Sequence, residues 1–399
     1  MLVLEMKIYA KHKQCSAMDE AIRTAQFIRN KALRYWMDNK EVGKYDLSAY
    51  CKVLAAEFPF ANQLNSMARQ SSADRAWAAI SRFYSNCKKN LPGKKGFPKF
   101  RKHSRSVEYK TTGWKLSDDR KNITFTDKKN IGKVKLKGTR NLLWYTEKQI
   151  KRVRIVRRVD GYYCQFLVDV DIRERLEPSY SEIGLDLGLN YFYTDDRGNH
   201  IENPRFYCQG EKALNRYNRR QSKKYVKGKK PQSANYHKAR KRYAKKHLKI
   251  SRQRKDHAVK LARCVITSND VVAYELRQQG RSLDLRIANM VKNHNLAKSI
   301  ADAGWYQFRV WLEYFGHKFG KITVAVPPQY TSVNCSECGA KVTKTLSTRT
   351  HKCKCGCVLD RDENAARNIL SIGLSTVGHT GSKAWGDETA ILAGENLSG

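Results

Sequence analysis

The stretch that most restricts this chain lies between residues 335 and 369. Cys335-Ser336-Glu337-Cys338 is followed by His351-Lys352-Cys353-Lys354-Cys355-Gly356-Cys357, and then by Asp360-Arg361-Asp362-Glu363-Asn364-Ala365-Ala366. Two cysteine pairs about 15 residues apart read as a zinc ribbon. Thiolates on two tight knuckles can close a tetrahedron around one ion. The acids that follow point to a second metal chemistry with hard oxygen ligands. A structural metal placed beside a catalytic one suggests a protein that handles nucleic acid.

The charge balance agrees. In 399 residues, 78 Lys and Arg face 37 Asp and Glu, for a formal charge of +41. Such an excess attracts a polyanion and gains affinity through counterion release. A basic protein that merely coats RNA is the bland alternative, and the placement of the acids argues against it. A membrane role is disfavoured because no amphipathic basic helix or long apolar run stands out. The segment Met1–Lys7 lacks the apolar centre of a signal peptide and reads as a first strand. Cys15, Cys51, Cys87, Cys164, Cys208 and Cys264 are scattered singly, as expected of ordinary thiols in a reducing, intracellular setting.

Along the chain the hydrophobic period changes three times. Residues 16–38 place Ala21, Ile22, Ala25, Ile28, Ala32, Tyr35 and Trp36 at helical spacing, and further helices are expected over Leu47–Phe58 and Gln63–Asn90. Their aromatics, Tyr35, Trp36, Trp77 and Phe83, read as core before base-stacking platforms. Gly96-Phe97-Pro98-Lys99-Phe100-Arg101 belongs to a basic connector suited to phosphate contact. From about 105 to 172 the pattern is β, with a hairpin signal at Asp160-Gly161, and it reads as a small barrel completed by a first strand at Leu2–Ala10.

A third unit starts near Ser181. Ile183-Gly184-Leu185-Asp186-Leu187-Gly188 and Asp270-Val271-Val272-Ala273-Tyr274-Glu275-Leu276 are apolar strands, each carrying an acid. Between them, residues 211–260 hold 20 Lys and Arg against two acids and read as two basic helices joined by a turn near Lys227–Ser233. Ile287–Phe319 reads as one helix with Trp305, Phe308, Trp311, Leu312 and Phe315 on a face, and Ile322–Val326 as a strand. Gly373–Gly399 is rich in Gly and Ser and is expected to be poorly ordered.

Asp186, Glu275 and Asp362 are the candidate catalytic acids. A carboxylate in an apolar strand is costly unless it serves a purpose. Asp186 could be a satisfied structural carboxylate, and Asp362 could be a helix N-cap, a job Asp360 could do equally well. The ordered set of strand-acid, strand-acid and acid-helix is more specific than any member. In an RNase H-like fold, three such carboxylates could hold two Mg²⁺ ions about 4 Å apart for phosphodiester hydrolysis.

With these residues in view, the sequence resembles the TnpB family, RNA-guided DNA endonucleases of bacterial insertion sequences related to the type V CRISPR effectors. The resemblance rests on Gly184-Leu185-Asp186-Leu187-Gly188, Tyr274-Glu275-Leu276, Thr331-Ser332 before Cys335-x-x-Cys338-Gly339, and Cys355-Gly356 leading to Asp360-Arg361-Asp362-x-Asn364-Ala365-Ala366-x-Asn368-Ile369. Asn30-Lys31-Ala32-Leu33 and Gly96-Phe97-Pro98-Lys99-Phe100 extend it toward the N-terminus. It implies a multidomain α+β protein. Residues 15–104 would be a helical recognition lobe, and residues 1–14 and 105–178 a wedge β-barrel. Residues 179–330 and 359–374 would form a split RNase H-like (RuvC) nuclease, with a zinc ribbon at 331–358 inserted and a tail at 375–399.

The resemblance further implies a guide RNA derived from the transposon end, double-stranded DNA with a short adjacent motif as target, Mg²⁺ at Asp186, Glu275 and Asp362, and a bacterial cytoplasmic protein that joins the nucleoid when bound to DNA. One departure is the second knuckle, usually Cys-x-x-Cys-Gly in this family. The favoured zinc ligands are Cys335, Cys338, Cys353 and Cys355, with Cys357 or His351 as alternatives and a metal-free ribbon as a further one. A nuclease-inactive guided DNA binder and a transposition-accessory RNA-binding protein are the competing functions. In the basic helices, Arg219, Arg220, Lys223, Lys224, Arg240, Lys241, Arg242, Lys245 and Lys246 are the expected contacts to the sugar-phosphate backbone.

Overall fold

A computed structural model describes residues 1–89, 93, 95–229, 231–275, 297–345 and 348–379. These fall into two compact units, Met1–Ile172 and Arg173–Gly399.

In the first unit, β1 (Leu2–Tyr9) runs into α1 (His12–Asp38), α2 (Lys44–Glu57), the short α3 (Pro59–Asn62) and α4 (Ser66–Lys88). The buried stripe of α1, Ala17, Met18, Ala21, Ile22, Ala25, Ile28, Ala32 and Leu33, follows the 3.6-residue period. Tyr35, Trp36 and Trp77 pack partly buried at the core's margin. Strands β2 (Ser106–Tyr109), β3 (Trp114–Leu116), β4 (Asn122–Phe125), β5 (Gly132–Lys137), β6 (Ile150–Arg158) and β7 (Gly161–Val168) complete the unit. With β1 they form one antiparallel sheet in the order β2-β6-β7-β1-β5-β4-β3.

The N-terminal strand is thus central, paired with β7 on one side and β5 on the other. Strands β2 and β3 are at opposite edges, yet only Lys110–Gly113 separates them in sequence. Seven flat strands would set those edges roughly 29 Å apart at ~4.8 Å per step. The linker reaches at most about 18 Å, so the sheet curls round on itself. Helices and sheet share a single apolar core.

The second unit contains β8 (Glu182–Leu187), β9 (Tyr191–Asp195), β10 (His200–Glu202), α5 (Phe206–Ser222), α6 (Ala234–Ser268), β11 (Val271–Glu275), α7 (Ala297–Ala303), α8 (Trp305–Phe319), β12 (Ile322–Val326), β13 (Thr350–Lys352), β14 (Val358–Asp360) and α9 (Arg361–His379). Its main sheet has the order β10-β9-β8-β11-β12; β8, β11 and β12 are parallel, and β9 and β10 antiparallel. The two basic helices take the expected form. The side chain of Ser233 accepts the Tyr236 N–H at the start of α6, and the buried Asp302 carboxylate accepts the N–H groups of Tyr207 and Cys208 at the start of α5.

Two expectations change. The single helix over Ile287–Phe319 breaks at Gly304, which takes φ +65° and separates α7 from α8; its residues 287–296 lie outside the described residues. The C-terminal segment is helical as far as His379, where disorder was expected from Gly373, and residues 380–399 lie outside the described residues. Gly373 is there for packing, because a Cβ on it would lie 2.5 Å from the Ala273 Cβ. Among the described residues, no helix is long and apolar enough to cross a membrane.

Candidate nuclease and metal site

The acids of β8 and β11 are placed by strand alternation. Leu185 and Leu187 share a buried cluster with Val272 and Tyr274, so Gly184, Asp186, Ala273 and Glu275 face the other side of the sheet. The parallel register pairs Ala273 with Gly184 and Tyr274 with Leu185. Continued by one residue, this register would set Asp186 beside Glu275 at the strands' ends, on backbones spaced about 4.8 Å apart. Both residues are buried, 9% and 7% exposed, where an ionised carboxylate needs compensation.

Helix α9 lies on that face. A Cβ on Gly184 would meet the Ala366 carbonyl oxygen at 2.2 Å, so the glycine lets helix and strand backbones touch. Asp362 is one turn before Ala366, at the helix start. Asp360 takes the capping role by accepting the Asp362 N–H at 2.8 Å, which leaves the Asp362 carboxylate for other work. That carboxylate is paired with Arg361 at 3.1 Å and Arg349 at 3.4 Å.

Among the described residues, the groups of three or more His, Cys, Asp or Glu donor atoms within 4.8 Å of one another both lie in the cysteine module, and the three acids do not form one. The first is Cys335, Cys338, Cys353 and Cys355. Its sulfurs approach at 3.7 Å (Cys335–Cys355) and 3.5 Å (Cys338–Cys353). A tetrahedron with Zn–S bonds of ~2.3 Å has sulfurs about 3.8 Å apart, so the donor set fits zinc.

Each knuckle turns on a glycine in the left-handed region, Gly339 at φ +73° and Gly356 at φ +94°. Burial pushes the Cys335 thiol up, but the backbone N–H groups of Cys338 and Glu337, with His351 and Cys355, hold it down at about 5. The second group is Cys335, His351 and Cys357. His351 is fully buried on the β13–β14 hairpin, with Nδ1 against the Lys344 ammonium.

Sequence reasoning missed what joins module to helix. Asn364 accepts the Ser336 N–H at 3.0 Å and donates to the Asn334 carbonyl at 2.9 Å. One turn on, Asn368 donates to the carbonyls of Thr331 and Asn334, both at 2.8 Å. The i, i+4 amides following the second acid were the available signal. Arg349, lying between the cysteine pairs and touching Asp362, was also missed.

Of the nine expected backbone contacts, all but the half-buried Lys246 are exposed, and none has an acidic partner among the described residues. Lys246 differs because its stem packs where Gly210 lets α5 and α6 approach closely.

Comparison with known proteins agrees with this architecture. Residues 165–293 match the family OrfB_IS605, described as "Probable transposase", and residues 305–369 match the "Cas12f1-like, TNB domain" family. A Streptomyces pristinaespiralis protein named "Putative RNA-guided DNA endonuclease" is 28% identical over 92% of this chain and 88% of its own. The Escherichia coli K12 protein InsQ, of the same description, is 26% identical over 87% of this chain and 86% of its own.

Among solved structures, Cas12f1 in a complex with sgRNA and target DNA aligns at TM-score 0.55 and 14% identity over 90% of this chain and 83% of that one. Cas_phi3, a mini-RNA-guided endonuclease, aligns at TM-score 0.50 and 9% identity over 97% and 93%. The fold is that of the compact effectors, mixed helix and sheet. The chain is thus similar over most of its length to proteins named as RNA-guided DNA endonucleases, and over residues 165–293 to the OrfB_IS605 family.

Proposed function

We propose that this protein is an RNA-guided DNA endonuclease of an IS605-type transposon, cutting double-stranded DNA with one RNase H-like (RuvC) site made of Asp186, Glu275 and Asp362. The observation that carries the reading is the parallel register of β8 and β11, with Tyr274 beside Leu185, which supports Asp186 and Glu275 as neighbours on the sheet face against which α9, the helix of Asp362, is packed. Its relatives' names and the nucleic acids in the Cas12f1 structure support the guide and target as partners.

The curled sheet with β1 would be the wedge domain, residues 15–104 the recognition lobe, and residues 331–358 the inserted ribbon. Cys335, Cys338, Cys353 and Cys355 would hold one structural Zn²⁺. The three carboxylates are hard donors suited to Mg²⁺, which when bound would supply positive charge at the scissile phosphate and an acidified water. The chain's own part is positional: β8 and β11 fix two carboxylates, and α9 carries the third. Arg361 and Arg349 neutralise Asp362, so its release from Arg349 would accompany assembly of the acid site. The cations of α5 and α6 would hold the sugar-phosphate backbone of a guide derived from the transposon end or of its heteroduplex.

The test is cleavage of a plasmid library with randomised target-adjacent sequence by the protein purified with its copurified RNA. Asp186→Ala, Glu275→Ala and Asp362→Ala should each abolish cleavage and leave RNA and target binding intact. A variant that cuts at the wild-type rate removes that residue from the site.

A further inference from the structure

Helix α1 carries Arg23, Phe27, Lys31 and Arg34 along one face, at successive i+4, i+4 and i+3 steps. The segment following α4 is fastened across it. Gln26 donates to the carbonyls of Arg101 and Lys102, each at 3.0 Å. Asn30 grips Arg101 from both sides, donating to its carbonyl and accepting its N–H, each at 2.9 Å. Arg29 donates to the Lys99 carbonyl at 3.2 Å. The residues between these anchors include Phe100, which is 47% exposed and has no ring partner among the described residues.

Phe100 and Phe27 wall an open cleft of about 400 Å³, rimmed by Arg23, Lys31 and Arg34. That volume falls within the range of small-ligand clefts, roughly 300–1,000 Å³. Phe27 is fixed by edge contacts to Phe58 and Phe60, both at 5.0 Å. The surroundings are cationic: burial and then the neighbouring Arg101 and Arg75 lower the Arg29 guanidinium to about 10. Arg34 is paired with Asp38 at 2.7 Å, while Arg23 and Lys31 have no acidic partner among the described residues.

We propose that this cleft is a nucleotide subsite, in which one unpaired base stacks on Phe100 and the flanking phosphates lie on Arg23, Lys31 and Arg34. It rests on the reading of the chain as a nucleic-acid-binding protein and adds a place where a base leaves its stack. The two ring walls favour a base over a phosphate alone. The five hydrogen bonds that fasten the Phe100 segment pre-pay the ordering cost of binding. Because every base has a π face, the subsite is tolerant of sequence.

The test uses the full chain with labelled oligouridine and oligothymidine across a salt series. Phe100→Ala should weaken binding about fivefold to a hundredfold with an unchanged salt slope, the loss of one stacked base. Phe100→Trp should bind as wild type. Arg23→Gln with Arg34→Gln should reduce the log–log salt slope by about 0.7 per lost contact. A larger Phe100→Ala loss on oligouridine than on oligothymidine assigns the base to RNA, and the reverse assigns it to DNA.

Equal affinity of Phe100→Ala and wild type overturns the subsite. So does a Phe100→Leu variant that binds as wild type, which would reduce the ring to apolar bulk. Failure of the wild-type chain to bind either oligomer would overturn the wider nucleic-acid reading as well, so the two failures are distinguishable.

Discussion

Replacing Gly184 with alanine tests whether the acids are placed by the contact between β8 and α9. The new Cβ would lie 2.2 Å from the Ala366 carbonyl oxygen, 2.8 Å from the Leu370 Cβ and 3.0 Å from the Leu370 nitrogen. Ordinary contact begins near 3.4 Å, so the helix backbone must retreat by about 1.2 Å. Two of the three obstacles are backbone atoms, which no rotamer change can move aside. Asp362 travels with the helix, while Asp186, two residues along β8, stays with the strand. A misplacement of this size is of the order that costs ~10²-fold in rate, and overpacking adds roughly 1–3 kcal/mol of destabilisation. The assay is single-turnover cleavage by the assembled complex at saturating Mg²⁺, with thermal melting and target binding measured alongside. Folded, target-binding Gly184→Ala protein that cuts within threefold of wild type would refute the placement argument.

Three further outcomes follow from the same geometry. Purified protein should carry about one Zn²⁺ per chain; Cys335→Ser and Cys338→Ser should lose it and Cys357→Ser should retain it, by elemental analysis, and a metal-free wild type would end the assignment. Glu108 is 3% exposed, and although burial pushes its carboxyl up, Arg75, Arg154 and Arg152 hold it down at about 2. Its folded pKa is depressed, so its stabilisation, on the order of 3 kcal/mol, is present above about pH 4.5 and lost as pH falls toward 2; denaturant melts of wild type and Glu108→Gln should converge over that window, and parallel curves would count against it. Neutralising Arg219, Arg220, Arg240 and Lys241 together should flatten the salt dependence of nucleic-acid binding by about 0.7–0.9 per lost phosphate contact, and an unchanged slope would make α5 and α6 a solvated surface.

The sequence was most legible where one residue type answers one physical demand. The stripe of α1, the Asp160-Gly161 hairpin, the two basic helices and the two acid-bearing apolar strands were all readable from period and turn chemistry. Glycines were harder, because a missing side chain serves opposite ends. Gly304 breaks a helix through its left-handed backbone, while Gly373 lies inside α9 because Ala273 leaves it no room for a Cβ. Composition alone does not separate these cases. Long-range pairings were equally opaque. That Asn30 holds the segment of Phe100 joins two motifs 71 positions apart at Arg101, and while the i, i+4 spacing of Asn364 and Asn368 marks a shared helix face, it does not say that Asn364 clamps the first cysteine knuckle.

The docking of α9 on Gly184 and Ala273 also has a meaning in time. Glu275 leaves the ribosome about 100 residues before the end of α9, a delay of roughly 5–20 s at ~5–20 residues per second. Throughout it, the nascent chain has two of its three proposed acids but not yet the helix that covers their face of the sheet. The same late helix carries Asn364 and Asn368, which fasten the first cysteine knuckle. Order of synthesis would thus act as a safety catch: a chain translated only as far as Glu275 lacks the proposed third carboxylate, and the proposed nuclease site can be completed only once α9 has been made.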